Sequence, residues 1–130
     1  MRGVLSIEVD EMWPAIEPLV RAGLEFGDGR WAPEDIRAAL TEGAQQLWID
    51  GDPMRAICVT EIIRYPQQRR CNIFLLAGQD LDAWIWQLSI LEAWAREKGC
   101  KAMELHGRPG WERILPGYDR TAVVLRKELA

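Results

Sequence analysis

Two carboxylates, one histidine and one arginine stand where this sequence has chemistry to offer. Glu61 interrupts a β-branched run, Met54 to Tyr65, and Glu104 precedes His106 by two residues at the end of a second apolar run. Both are candidate proton acceptors. The plainer reading makes each a solvent-facing strand residue, because alternation alone places a polar group there. His106 falls at the C-terminal end of an expected strand, where α/β sheets gather ligands; a lone histidine is also a common structural residue. Arg108 suits either a phosphate or carboxylate contact or the cap of a loop. Cys58, Cys71 and Cys100 have no C-x-x-C spacing, and an odd count closes no disulfide framework. Cys58 and Cys71 lie inside apolar runs and read as buried thiols. With a single histidine, no metal site is expected.

The elements that position these groups follow from periodicity. Leu5 to Val9 alternates as a first strand. The next segment carries Pro14 and Pro18, so its helix is expected to start late or to kink, with Ile16, Leu19, Val20 and Gly23 on one face. A second helix opens at Pro33, with Glu34 and Asp35 in its first turn and Gly43 as its stop. Strands follow over Gln46 to Asp50, Met54 to Tyr65 and Cys71 to Ala77, joined by turns short enough for antiparallel hairpins. The strongest helix spans Asp82 to Lys98, capped by Asp80 or Asp82, with Leu81, Trp84, Ile85, Leu88, Leu91 and Ala95 as its apolar stripe. Lys101 to His106 then returns as a strand, and the intervening length fits a crossover between parallel strands. A short helix over Pro109 to Leu115 and a last strand over Thr121 to Lys127 complete one α/β domain, residues 1–130.

Seven tryptophans are more than so small a core can hide. Trp84 lies on the helical stripe and Trp86 off it. Trp31 sits in a glycine-rich connection, Gly27 to Pro33. Trp86 and Trp31 are therefore the candidate contacts to a partner protein. The net charge of −4 argues against a dedicated nucleic-acid binder. No apolar run is long enough to span a membrane, and no secretory signal is expected at the N-terminus, so no membrane partner and no signal-directed export are expected.

The order strand, two helices, three antiparallel strands, long helix, strand, short helix, strand resembles the GNAT (GCN5-related N-acetyltransferase) fold from end to end. The most specific text is Ala93-Trp94-Ala95-Arg96-Glu97-Lys98-Gly99-Cys100, similar to the end of that family's central helix. Gly107-Arg108-Pro109-Gly110-Trp111-Glu112-Arg113-Ile114-Leu115-Pro116-Gly117-Tyr118 resembles its short helix and Gly-aromatic pair. The tryptophan-rich wording is similar to small GNAT-like proteins of tailed bacteriophages. The resemblance implies a mixed, splayed sheet with a central crossover helix. It also implies acetyl-CoA held by a Q/R-x-x-G-x-G/A loop whose backbone N–H groups grip the pyrophosphate. Here that stretch reads Leu76-Ala77-Gly78-Gln79-Asp80-Leu81-Asp82-Ala83, with one glycine and two carboxylates. Gly78, Gln79 and Arg108 are what remains for a cofactor, and the aspartates oppose a diphosphate.

In the family's catalytic pattern a tyrosine stands four residues before the Gly-aromatic pair; with Gly117-Tyr118 as that pair, the position holds Arg113. Glu61, His106 and Tyr118 remain as catalytic candidates. The resemblance with these departures points to a non-catalytic binding or virion and tail assembly component, with no cofactor. Its expected partners are phage structural proteins or its own copies, in a virion or the bacterial cytoplasm. The alternative is an acyl-CoA-dependent N-acetyltransferase with a divergent loop.

Overall fold

A computed structural model describes residues 1–107 and 110–130, apart from the side chain of Leu81. Five strands form one sheet in the order β1-β2-β3-β4-β5. They are β1 (Arg2–Val4), β2 (Gln46–Asp50), β3 (Ala56–Arg64), β4 (Arg69–Gly78) and β5 (Cys100–Leu105). The first four pair antiparallel, and β4 pairs β5 in parallel, as the crossover length predicts. The helices are α1 (Val9–Leu24), α2 (Pro33–Glu42), α3 (Leu81–Trp84), α4 (Leu88–Glu97) and α5 (Trp111–Ile114).

Strand alternation divides the core between the two faces of the sheet. Leu47, Ile49, Ile57 and Val59 point to the layer made by α1 and α2, where Val9, Trp13, Ile16, Val20, Ile36 and Leu40 meet them. Trp48 and Cys58, one step along the same strands, face Leu88 and Leu91 of α4 together with Ile73 and Leu115. The Trp48 indole N–H, buried in that second layer, donates to Thr60 Oγ1 at 3.0 Å. Trp94 packs its ring edge-on to Trp48, centroids 5.2 Å apart.

The two prolines of α1 do not delay it. The helix starts at Val9, before both, and carries Pro14 and Pro18 in its interior. Both rings sit on the exposed side, so the carbonyls that lose their helical donors meet water rather than core. On the opposite side α1 comes close to β4. A Cβ at Gly23 would stand 2.8 Å from Leu75 Cγ, closer than packed side chains tolerate.

Three further expectations fail, each for a physical reason. The Leu5–Val9 alternation is not a strand. Pairing with β2 ends at Val4, and a 3-10 turn over Ser6–Glu8 follows, closed by Leu5 N–H donating to the Glu8 carboxylate at 3.1 Å. Leu5 and Ile7 are left exposed. The Asp82–Lys98 helix is broken: α3 has four residues, a 3-10 turn occupies Ile85–Gln87, and α4 starts only at Leu88. The apolar stripe survives the break, with Trp84, Leu88, Leu91 and Ala95 all buried. Finally, Thr121–Lys127 forms no strand. Arg126 instead reaches Asp28 Oδ2 at 2.6 Å, which ties this segment to the α1–α2 connection and leaves Val123, Val124 and Leu125 exposed.

Candidate functional site

The sheet opens where β4 outruns β5. Their pairing ends at Ile73 opposite Leu105, while β4 continues five residues to Gly78 beside β3 alone. A bulge follows that point at once: Val59 faces Leu75 and Thr60 faces Ile73, so Phe74 is the extra residue on β4. Such a bulge bends its strand and raises the local twist, which suits a parting of β4 from β5. Phe74 receives the ring edge of Trp31, centroids 4.8 Å apart. The resulting open cleft is lined by Gly27 to Trp31 on one side and by His106, Gly107, Tyr118 and Thr121 on the other.

Gly78 and Gln79 stand at the end of β4, where the sequence places them, but their backbone is already committed. The Gln79 N–H donates to the Arg55 carbonyl at 3.1 Å, and the Gln79 carbonyl accepts from the Trp84 indole at 2.8 Å. At Gly78, with φ 151°, a Cβ would lie 2.5 Å from Arg55 O, so only glycine fits. Strand packing alone requires this glycine. Asp80 has a left-handed φ of 53° and its carbonyl receives the Ala83 N–H at 2.8 Å. Among the described residues, the Asp80 and Asp82 side chains form no hydrogen bond or ion pair, so the expectation that one of them caps the helix fails. Both are exposed. Arg108 lies outside the described residues.

The catalytic candidates separate. His106 is exposed, past the end of β5. Tyr118 is half-buried and its hydroxyl donates to Glu92 Oε2 at 3.0 Å. Burial first, and then the Glu92 charge, push its pKa far up, so the phenol keeps its proton and is a poor acid–base group. Arg113 is exposed on α5. Burial likewise raises the thiol of Cys71 to about 12, and that of Cys58 further, which removes both as nucleophiles near neutral pH.

Glu61 and Glu104 come together in a way their separation in sequence does not suggest. Glu61 on β3 stands opposite Asn72 on β4, and Asn72 opposite Glu104 on β5. The three form one row across one face of the sheet. Glu104 pairs with Arg70 at 3.4 Å. Glu61 has no cation partner among the described residues. Its carboxylate accepts from Asn72 Nδ2 at 2.9 Å and from Gln45 Nε2 at 3.4 Å. Asn72 and Gln45 are buried, and among the described residues Asn72 Oδ1 and Gln45 Oε1 have no partner. Leaving such an acceptor unmade costs about 1–3 kcal/mol each. Sequence reasoning missed this pair. Asn72 did leave a signal, as the one amide inside the apolar run of β4; Gln45, in a connection, left none.

The two tryptophans proposed as partner contacts lie on opposite faces. Trp31 packs on the α1–α2 side and is 37% exposed; Trp86 belongs to the α3–α4 side and is 65% exposed, its indole donating to the Ala83 carbonyl at 3.0 Å. They cannot form one patch.

No protein-family model and no curated protein sequence matches the chain. Solved structures do. An aminoglycoside acetyltransferase from an uncultured soil metagenomic sample, in complex with sisomicin, superposes with a TM-score of 0.73 at 11% identity, covering 99% of this chain and 95% of that one. A ribosomal-protein-alanine N-acetyltransferase from Brucella melitensis biovar Abortus 2308 gives 0.64 at 12% identity, with coverage of 97% and 98%. A GNAT family acetyltransferase from Staphylococcus aureus gives 0.65 at 13% identity, with coverage of 98% and 96%. The chain therefore has the GNAT fold over nearly its whole length. Nothing in these comparisons bears on the likeness to phage proteins.

Proposed function

We propose that this chain is a binding protein built on the GNAT fold, in which the half of the site that would hold coenzyme A has been given over to internal packing. The observation that carries this reading is the loop from Gly78 to Asp82. A diphosphate needs free backbone N–H groups at the start of a continuous helix. Here the Gln79 N–H is spent on Arg55, the helix that follows has four residues, and two exposed aspartates flank it. One carboxylate about 4 Å from a phosphate charge opposes it by roughly 4 kcal/mol near a protein surface, and every 1.4 kcal/mol or so is tenfold in affinity. Calorimetry with acetyl-CoA at moderate salt is expected to show no saturable binding at tens of micromolar. Tight binding would overturn the reading.

A second reading, an acyl-CoA-dependent N-acetyltransferase with a divergent loop, is favoured by the parting of β4 from β5 and by the bulge at Phe74. Under that reading acetyl-CoA binds and Asp80→Gly strengthens it, since the change removes a charge and relieves a left-handed φ. The setting proposed for the binding role is a phage particle or its tail, where the partners are structural proteins or further copies of the chain. Stoichiometric amounts of the chain in purified particles test that setting.

A further inference from the structure

The row of Glu61 and Asn72 has acceptors to spare and, among the described residues, no donor to meet them. Gln45 and Asn72 each turn an amide N–H toward the Glu61 carboxylate. That choice fixes both amides, because flipping either would set its oxygen against a carboxylate oxygen. Their oxygens, Gln45 Oε1 and Asn72 Oδ1, are then buried without partners among the described residues. Asn72 is 8% exposed and Gln45 3%. The neighbouring cation does not serve them: Arg70 is turned to Glu104 at 3.4 Å and to Gln68 Oε1 at 2.8 Å. Among the described residues, what remains is one carboxylate without a cation partner beside two amide oxygens without donors. Glu61 and Asn72 line the open cleft, together with Phe74 and Trp31.

We infer that Glu61 and Asn72, held by Gln45, form a receptor for a guanidinium group presented by a ligand in the cleft. A partner that brings one positive charge and several N–H donors would meet what the described residues leave unmet. A guanidinium has five donors in a plane, is more weakly hydrated than an ammonium and stacks on aromatic faces, and Trp31 and Phe74 line the same cleft. A water would satisfy an orphaned oxygen but leave the Glu61 charge unmatched. The inference rests on the cleft being a binding surface, and it names the chemistry of what binds there: an arginine side chain of a partner or a free alkylguanidine.

Methylguanidinium, added to the full chain labelled with nitrogen-15, is the probe. The side-chain amide resonances of Asn72 and Gln45 should shift saturably, with methylammonium at least fivefold weaker. N-acetyl-arginine methylamide binding more tightly than methylguanidinium points to a partner's arginine, and equal binding to a free guanidine; either agrees with the inference. Glu61→Gln should weaken binding at least tenfold while the thermal melt stays cooperative. If that variant does not fold, Asn72→Leu, which removes the orphaned oxygen, should fold at least as stably as the parent and weaken binding instead. No saturable shift, methylammonium binding as well as methylguanidinium, or saturation by calcium would each overturn the inference. Because acetyl-CoA calorimetry probes the loop at Gly78 to Asp82, a failure here leaves that result standing, and the reverse.

Discussion

The two faces of the sheet are built to different standards. On the face covered by α1 and α2, the helices run unbroken, an apolar core runs from Val9 to Leu75 beside the polar row of Glu61 and Asn72, and Gly23 lets the helix come hard against β4. On the other face the crossover helix is interrupted at Ile85–Gln87, two thiols and a phenol lie among the apolar side chains, and Trp86 is left in solvent. The difference separates fold from activity. The fold needs the apolar stripe of the crossover helix to reach the sheet, and Trp84, Leu88 and Leu91 still do. On the proposed reading, a diphosphate site would need a continuous helix with free N–H groups at its start, and the break after Trp84 and the Gln79–Arg55 bond oppose both. A stripe tolerates a break that an anion site does not, because burial is non-directional and hydrogen bonding to an anion is not.

The largest effect expected is on the crossover face. Trp84→Ala should cost about 3–5 kcal/mol, since it empties a fully buried site and also frees the Gln79 carbonyl. Urea denaturation measures it; a loss below about 1 kcal/mol would mean that α3 is a loose appendage and the two faces differ more than described. Next comes alkaline pH. Cys58 and Cys71 have thiols raised above the unfolded value, so the stability they confer is whole below about pH 8.5 and is lost as pH climbs toward about 12. The loss should be on the order of 2 kcal/mol per thiol by pH 10. Cys58→Ala should flatten that limb, and an unchanged limb would place the alkaline sensitivity elsewhere. The smallest effect belongs to Trp86→Ala, expected to shift stability by no more than about 0.5 kcal/mol while weakening any assembly that uses this face. A loss comparable to that of Trp84→Ala would put both rings in the core and remove Trp86 as a partner contact.

Much of the fold was legible. Pro33, Glu34, Asp35 and Gly43 mark α2 at both ends, and the apolar runs of β2, β3 and β4 with their short turns fix the hairpins. Each is a local signal: a cap, a turn, a period of two. The candidate site was legible in part. The charged, glycine-poor loop after β4 is plain in sequence, but which of its N–H groups is already bonded is not. Glu61 and Glu104 read as unrelated strand residues until the register put Asn72 between them.

The sequence by itself determined which residues are apolar at which period, and hence the elements, their order and the two buried faces. It also set the charge of the loop that would meet a diphosphate. Only the tertiary structure decided where those patterns stop. The alternation of Leu5 to Val9 is strand-like, yet pairing ends at Val4 and the Glu8 carboxylate closes a turn instead. Thr121 to Lys127 has the composition of a strand, yet Arg126 is held by Asp28 across the cleft. A strand exists only where a neighbour supplies its hydrogen bonds, and an acceptor is orphaned only when packing has excluded every donor. Both are properties of distant residues brought together, which local periodicity does not encode.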